Sequence, residues 1–236
     1  MRGRTVSTLG TTALLVAALA ACGSSSRSSS TPVTVFKLAA DPARDIPAAN
    51  PKNHVTLTAP ALRSTLESLL SKHATLVASL MHEVGTGDAN TDAAVKALAK
   101  NTQSLTNDVA AVYGIDAGRA FAQLWEQHTQ FFIDYATAAR SSDKAAERAA
   151  QTKLLDYQND FASFVSTATA GGASLTAVTS LLHAHVRDLT SYIDADVAGH
   201  TVEARQLLDQ AVAHMRVIAT AVSDAIAAQR LKTVAP

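Results

Sequence analysis

Six polar residues recur along the chain at an almost constant interval, and their side chains are types that bind metals or form buried hydrogen bonds. They are His73, Asn101, His128, Tyr157, His185 and His214, separated by 28, 27, 29, 28 and 29 residues. Each lies within apolar residues spaced three and four apart, so each is expected on the inward face of a helix. Neutral imidazole suits zinc, copper, iron and nickel.

The interval has a geometric meaning. From His73 the chain climbs about 11 residues to its helix end and descends about 10 to Asn101, so at about 1.5 Å per residue the two finish nearly level. The same arithmetic applies at every later turn. The spacing therefore predicts one polar layer across the middle of a helical bundle.

Two interpretations of this layer remain open. A transition-metal ion could be bound by His73, His128, His185 and His214, because bundle cores build metal sites from facing helices. The di-iron pattern, however, needs Glu residues beside the histidines, and only Asp188, three positions after His185, is a plausible carboxylate ligand. We prefer the second interpretation, a hydrogen-bonded layer with Asn101 and Tyr157 in support, which requires no cofactor and fixes the register of the helices.

The remaining histidines and the aromatic residues receive simpler interpretations. His82, His183 and His200 lie off the main apolar stripes or in turns and are expected at the surface. An aromatic stripe at helical spacing runs along the third helix, and we interpret it as core rather than as a ligand cage. Its members are Phe121, Trp125, Phe131, Phe132 and Tyr135.

The elements that position these residues are helices throughout the second part of the chain. Apolar periodicity, glycines and the cap sequence ending in Asp143 predict six helices with short connections. Gly85 and Gly87 are expected to end the first helix. The predicted helices span about 60–84, 92–113, 117–140, 144–169, 174–197 and 201–230. The sequence therefore predicts an all-α protein, an up-and-down bundle of six antiparallel helices.

The odd-numbered helices resemble one another. Residues 68–73, 123–128 and 180–185 each end in a histidine that follows a hydrophobic pair. The chain is accordingly interpreted as three helical hairpin repeats.

The first residues have the features of an export signal. Arg2 and Arg4 precede an apolar run over 11–21, which is too short to span a bilayer core of about 30 Å. Leu19-Ala20-Ala21-Cys22 resembles the lipobox of bacterial lipoproteins, which implies a diacylglyceryl group on Cys22 and a lipid anchor outside the cytoplasmic membrane. We expect a signal peptide over 1–21, a flexible Ser/Pro-rich tether over 22–58, the bundle over 59–230 and a tail over 231–236.

Composition excludes several functions. The chain has 20 Lys and Arg against 20 Asp and Glu and no block of like charges, which argues against a nucleic-acid partner. Cys22 is the only cysteine, so its lipidation leaves no thiol for disulfides or catalysis. Motifs of α/β-hydrolases, nucleotide-binding proteins and zincins do not occur, and no catalytic constellation can be assembled.

Residues 61–229 also resemble a largely uncharacterised family of exported bacterial helical-repeat proteins with Leu-Trp-x-x-His helices. The resemblance rests on Asn101–Gly114, Leu124–His128, Leu182–His185 and Ala211–Met215, although Tyr157 stands where the pattern has Asn. Some members are labelled copper amine oxidases, but such an enzyme needs a β-rich catalytic domain that this chain lacks. We expect a cell-envelope lipoprotein that acts as a non-catalytic binding or interaction module; the alternative is a metal-binding lipoprotein.

Overall fold

The computed structural model describes residues 58–87 and 91–231, and this part of the chain is a bundle of six helices without strands. Cys22, the signal peptide and the tether up to residue 57 lie outside the described residues. The predicted all-α bundle is confirmed, and the helix ends agree with the predicted ones within about two residues. The helices are α1 Ala59–Thr86, α2 Asp92–Tyr113, α3 Ile115–Arg140, α4 Lys144–Ala168, α5 Leu175–Val197 and α6 Thr201–Leu231.

Local sequence explains where the helices begin and end. The Asp143 side chain accepts hydrogen bonds from the backbone N–H groups of Ala145 and Ala146, which would otherwise lack partners at the start of α4. Gly87 ends α1 in the left-handed conformation with φ 79°. The expectation that Gly85 also ends α1 was wrong, because Gly85 is helical and buried. A Cβ atom there would lie 2.9 Å from Val197 Cγ2, so its role is a close approach between α1 and α5.

The helices are arranged as three hairpins around a common axis. The odd helices α1, α3 and α5 all contact one another. Each even helix packs between two of them: α2 between α1 and α3, α4 between α3 and α5, and α6 between α5 and α1. This near-threefold arrangement places equivalent residues of the three repeats around one central line.

Two apolar clusters fill the interior, one toward each end of the bundle. One cluster contains Val84, Leu98, Phe132, Leu154 and Ile193. The other cluster lies at the end where α1, α3 and α5 begin and α2, α4 and α6 finish, and it contains more aromatic side chains than the first. The buried histidines lie between the two clusters.

The last helix is long and apolar enough to cross a membrane by length and composition alone, over Thr201–Gln229. A core helix of a soluble protein meets the same criterion. Here α6 packs against both α1 and α5, with Ala211, Met215 and Ala219 buried. Packing therefore accounts for part of its apolar character, while Val202 and Val217 of the same helix are exposed.

Candidate functional site

The candidate site is built around three histidines on the three inner helices. His73 on α1 is fully buried, and His128 on α3 and His185 on α5 are each only 3% exposed. The Nε2 atoms of His73 and His128 lie 3.1 Å apart. His185 is near enough to lower the pKa of both other rings. The three equivalent histidines of the repeats therefore meet near the central axis.

Each hairpin adds a polar residue from its outer helix next to its own histidine. Asn101 on α2 lies close enough to His73 to raise its pKa against the trend set by burial, although its Oδ1 atom has no hydrogen-bond partner of ordinary geometry among the described residues. The ring of Tyr157 on α4 stacks on His128, with centroids 4.8 Å apart and an angle of 15°. His214 on α6 lowers the pKa of His185. The polar layer expected from the spacing thus consists of three inner histidines, each with one polar residue from the outer helix of its own repeat nearby.

Burial keeps the inner histidines neutral. Desolvation, followed by the charges of neighbouring rings, holds the pKa of His73 well below its ordinary value. The same causes lower the pKa of His128 to about 3. Burial also lowers the pKa of His185 to about 4, even though the carboxylate of Asp188 acts in the opposite direction. The three inner histidines are therefore uncharged at neutral pH.

Hydrogen bonds fix the outer members of the layer. Asn101 Nδ2 donates to the carbonyl of Leu69 at 3.1 Å, which sets the orientation of the amide. His214 Nδ1 lies 2.5 Å from a carboxylate oxygen of Asp188. The other Asp188 oxygen accepts from Arg187 at 3.0 Å. Asp188 is thus a partner of His214, and its charge also raises the pKa of His185.

Several buried polar atoms in the layer lack a hydrogen-bond partner of ordinary geometry among the described residues. They include both ring nitrogens of His185, the Nε1 atom of Trp125 and the Nδ1 atom of His128. The carbonyl of Ala211 is near enough to raise the pKa of His185, but it does not complete a bond of standard geometry. Buried polar groups without partners cost free energy, so these atoms would gain from a hydrogen bond to a water or ligand molecule.

These atoms lie beside a cavity of about 100 Å³ in the aromatic half of the bundle. His128, His185, Trp125 and Tyr157 line it together with Asp108. The rest of its wall is mainly apolar and comes from all six helices. Representative members are Leu66, Leu105, Phe121, Phe161, Phe164, Leu182, Met215 and Ile218.

The aromatic side chains of the cavity are in contact with one another and with the histidines. Phe121 stacks on Trp125 with centroids 5.0 Å apart, and Trp125 lies 4.7 Å from His128 and 4.5 Å from His73. The sequence indicated an aromatic core stripe here, but Phe121 and Trp125 also form a cavity wall. Phe132 and Tyr135, from the same stripe, belong to the other apolar cluster.

Asp108 is a member of the site that sequence analysis missed. Its carboxylate is half-buried, burial raises its pKa, and its Oδ2 atom has no partner among the described residues. Among the described residues that line the cavity, none is Lys or Arg. Asp108 lies on the polar flank of α2 and belongs to no motif, so the sequence gave no indication that it lines a cavity.

The other predicted residues are placed as follows. His82, His183 and His200 are exposed, as expected. His82 Nδ1 pairs with Asp196 at 2.8 Å, and His200 Nδ1 lies 3.4 Å from Glu203. Within 58–87 and 91–231, no three His, Cys, Asp or Glu side chains stand in an arrangement that could hold a metal ion as they are. The site therefore contains one close histidine pair, His73 and His128. His185 lies beside this pair, and His214 contacts Asp188 instead.

The chain was compared with known proteins. No family model, curated protein or solved structure matches it.

Proposed function

We propose that the protein is an exported, lipid-anchored binding module whose bundle binds a small, mostly apolar molecule that carries one polar group. The observation that carries the proposal is the cavity, which combines apolar walls with buried polar atoms that lack partners. Ligand pockets in proteins commonly have this composition, in which apolar surface provides affinity and a few polar groups fix orientation. The membrane anchor is proposed from Leu19-Ala20-Ala21-Cys22 in the sequence.

The size of the cavity limits the ligand. An engineered apolar cavity of about 150 Å³ stays dry and binds benzene. The cavity here is smaller, about 100 Å³, so the proposed ligand is no larger than a single ring or a short chain. Its polar atoms include Trp125 Nε1, which can only donate, and His185, which can donate through one nitrogen and accept through the other. A ligand hydroxyl can satisfy either residue.

Phenol and toluene are suitable probes, because they share a ring and differ in one polar group. Trp125 is the only tryptophan of the chain, so its fluorescence reports directly on the cavity wall. The test uses the chain with Cys22→Ser, which alters none of the described residues and avoids detergent. We expect saturable changes in fluorescence with both probes and tighter binding of phenol, since leaving buried polar atoms unpaired costs affinity.

The matched variant is His185→Leu, which removes both ring nitrogens from the cavity wall. It is expected to shift the preference from phenol toward toluene, while the exposed-site control His183→Ala leaves both affinities unchanged. If neither probe changes the fluorescence or the melting temperature, the cavity is not a ligand site and the proposal is wrong.

A further inference from the structure

Asp108 contributes the one formal charge among the described residues that line the cavity. The two histidines in the wall, His128 and His185, are kept uncharged at neutral pH by burial. The Oδ2 atom of Asp108 is buried and has no hydrogen-bond partner among the described residues. The cavity therefore presents a negative charge that its described wall does not compensate, which disfavours an anionic ligand and favours a cationic one.

Aromatic rings stand at the same height in the bundle as this carboxylate. Asp108, Phe121 and Phe164 each lie seven residues from the polar-layer residue of their own helix, toward the aromatic end of the bundle. At about 1.5 Å per residue, all three stand about 10 Å from the polar layer. The rings of Phe121 and Phe164 have centroids 6.3 Å apart, and α3, which carries Phe121, packs against α2. The charge and the rings thus line the same level of one cavity.

A protonated amine is the chemical group that matches this combination. Its N–H groups donate charge-assisted hydrogen bonds to a carboxylate, which are about twice as strong as neutral ones. The faces of aromatic rings also attract a cation that lies within about 6 Å of the ring centroid. A neutral hydroxyl can make only the weaker form of the first contact, and a ligand carboxylate would be repelled by Asp108.

The position of Asp108 limits the cost of removing such a cation from water. Its side chain is half-buried, so an ammonium group beside it keeps part of its hydration while the apolar part of the ligand enters the cavity. A fully buried ion pair would lose much of its Coulomb energy to desolvation. The apolar walls nevertheless strengthen the attraction relative to a pair in open water.

The inner polar atoms of the cavity do not compete for the ammonium group. Trp125 precedes His128 by three residues, so it lies about 6 Å closer to the polar layer than Asp108 does. Its Nε1 atom can only donate, whereas an ammonium group needs an acceptor. A cation at Asp108 and a hydroxyl or water molecule at Trp125 are therefore compatible in one occupied cavity.

We propose that the cavity selects a small primary amine in its protonated form, with the ammonium group bound by Asp108 and the attached ring or short chain held among the aromatic residues. This inference rests on the proposed function and specifies the polar group of the ligand. Phe121 and Phe164 are the rings level with the ammonium group, and Asp108 determines the preference for positive charge.

The experiment compares three single-ring probes at neutral pH on the Cys22→Ser chain, by tryptophan fluorescence and titration calorimetry. Benzylamine, benzyl alcohol and benzoate are similar in size and differ in charge. Benzylamine should bind about tenfold or more tightly than benzyl alcohol, the usual effect of a hydrogen bond between charged groups. Benzoate should bind most weakly. Added salt should weaken the binding of benzylamine and leave that of benzyl alcohol unchanged.

The matched variant is Asp108→Asn, which keeps the shape of the side chain and removes its charge. It should lower the affinity for benzylamine to about that for benzyl alcohol. Asp160→Asn, at an exposed position of α4, should preserve the preference of the parent. Equal binding of benzylamine and benzyl alcohol by the parent, or an undiminished preference in Asp108→Asn, would overturn the proposal.

The outcomes separate this inference from the proposed function. Binding of phenol and toluene without a preference for benzylamine would leave the cavity as a site for neutral molecules and overturn the assignment of an amine. If none of these probes binds, the proposed function is wrong and the inference is overturned with it. The charge preference and its salt dependence are measured on the parent chain, so the test does not depend on the folding of a variant.

Discussion

At the scale of single residues, the stability of the bundle depends on keeping the buried histidines neutral. The unfolded chain protonates its histidines near pH 6.5, whereas the pKa is about 4 for His185 and about 3 for His128 in the folded protein. Below pH 6.5 the unfolded state therefore binds more protons, and each unit of difference corresponds to about 1.4 kcal/mol.

We predict that the free energy of unfolding of the protein decreases as the pH falls from neutral to about 4. Denaturant titrations at a series of pH values measure this slope. The His185→Leu variant should show a shallower decrease, and His183→Ala should follow the parent because its ring is exposed in the folded state. A profile without slope in this range would contradict the assignment of buried neutral rings.

Asp108 gives a pH effect of the opposite sign. Burial raises its pKa above 3.8, so the unfolded state loses this proton first and stability decreases as the pH rises through that range. At neutral pH the half-buried carboxylate is destabilising. We predict that Asp108→Asn raises the melting temperature at neutral pH and has little effect in strong acid, as calorimetry can test. Asp160→Asn, at an exposed position of α4, is the control and should change little at either pH.

The members of the layer were predictable from sequence, whereas their pairing was not. The constant interval indicated His73, Asn101, His128 and Tyr157 because helix rise and loop length convert spacing into height. The 3.1 Å approach of two rings depends on side-chain rotamers and on helix separation, which spacing does not encode. The cavity was missed for a related reason, since it arises from imperfect filling of space by side chains from all six helices.

At the scale of helices, a close contact between α2 and α3 depends on Gly118. A Cβ atom there would lie 2.8 Å from the Ala110 Cβ atom and 3.2 Å from the Thr106 carbonyl oxygen. In an open helix, replacing Gly by Ala gains up to about 1 kcal/mol. Here the steric conflict outweighs that gain.

We predict that Gly118→Ala destabilises the protein by about 1–3 kcal/mol, the usual cost of overpacking. Chemical denaturation measures the change. Combining it with Ala110→Gly, which removes the closest atom, should recover part of the loss beyond the sum of the two single effects. Simple additivity of the two variants would show that the contact with Ala110 is not the cause.

The helices themselves could be read from the sequence almost completely. Apolar periodicity, the Asp143 cap and Gly114 predicted where α2 ends and where α4 begins, because a cap side chain and a glycine with positive φ act locally. Gly85 misled the prediction since its function is tertiary. A glycine that ends a helix and a glycine that admits a neighbouring helix look alike until the neighbour is known.

At the scale of the whole molecule, three hairpins place three similar side chains on one axis. A residue repeated in each hairpin meets its own copies only if it lies on an inner helix, because the outer helices are separated from one another by the inner ones. This explains why His73, His128 and His185 belong together, whereas His214, on the outer helix α6, pairs with Asp188. Sequence spacing alone gave all four histidines the same place in the layer. Spacing predicts the height of a residue along the bundle, but not its distance from the central axis.

The last prediction tests the lipid anchor proposed for Cys22. Cys22 is the only cysteine, so it is the only residue that could carry a thioether-linked lipid. Labelled palmitate should therefore be incorporated into the parent chain and be absent from the Cys22→Ser variant. One acyl chain anchors a protein only marginally, whereas two or three hold it firmly. We predict that the parent chain sediments with membranes, and that Cys22→Ser is found in the soluble fraction.

Two comparisons make this result specific. Ser26→Ala, in the adjacent serine tract, should remain bound to membranes and keep its label. The competing anchor is α6, which is long and apolar enough to span a bilayer. If the Cys22→Ser chain stays in membranes after an alkaline wash, a helix rather than a lipid holds it. The packing of α6 against α1 and α5 argues for release, because a helix that leaves the bundle would expose the buried faces of both neighbours.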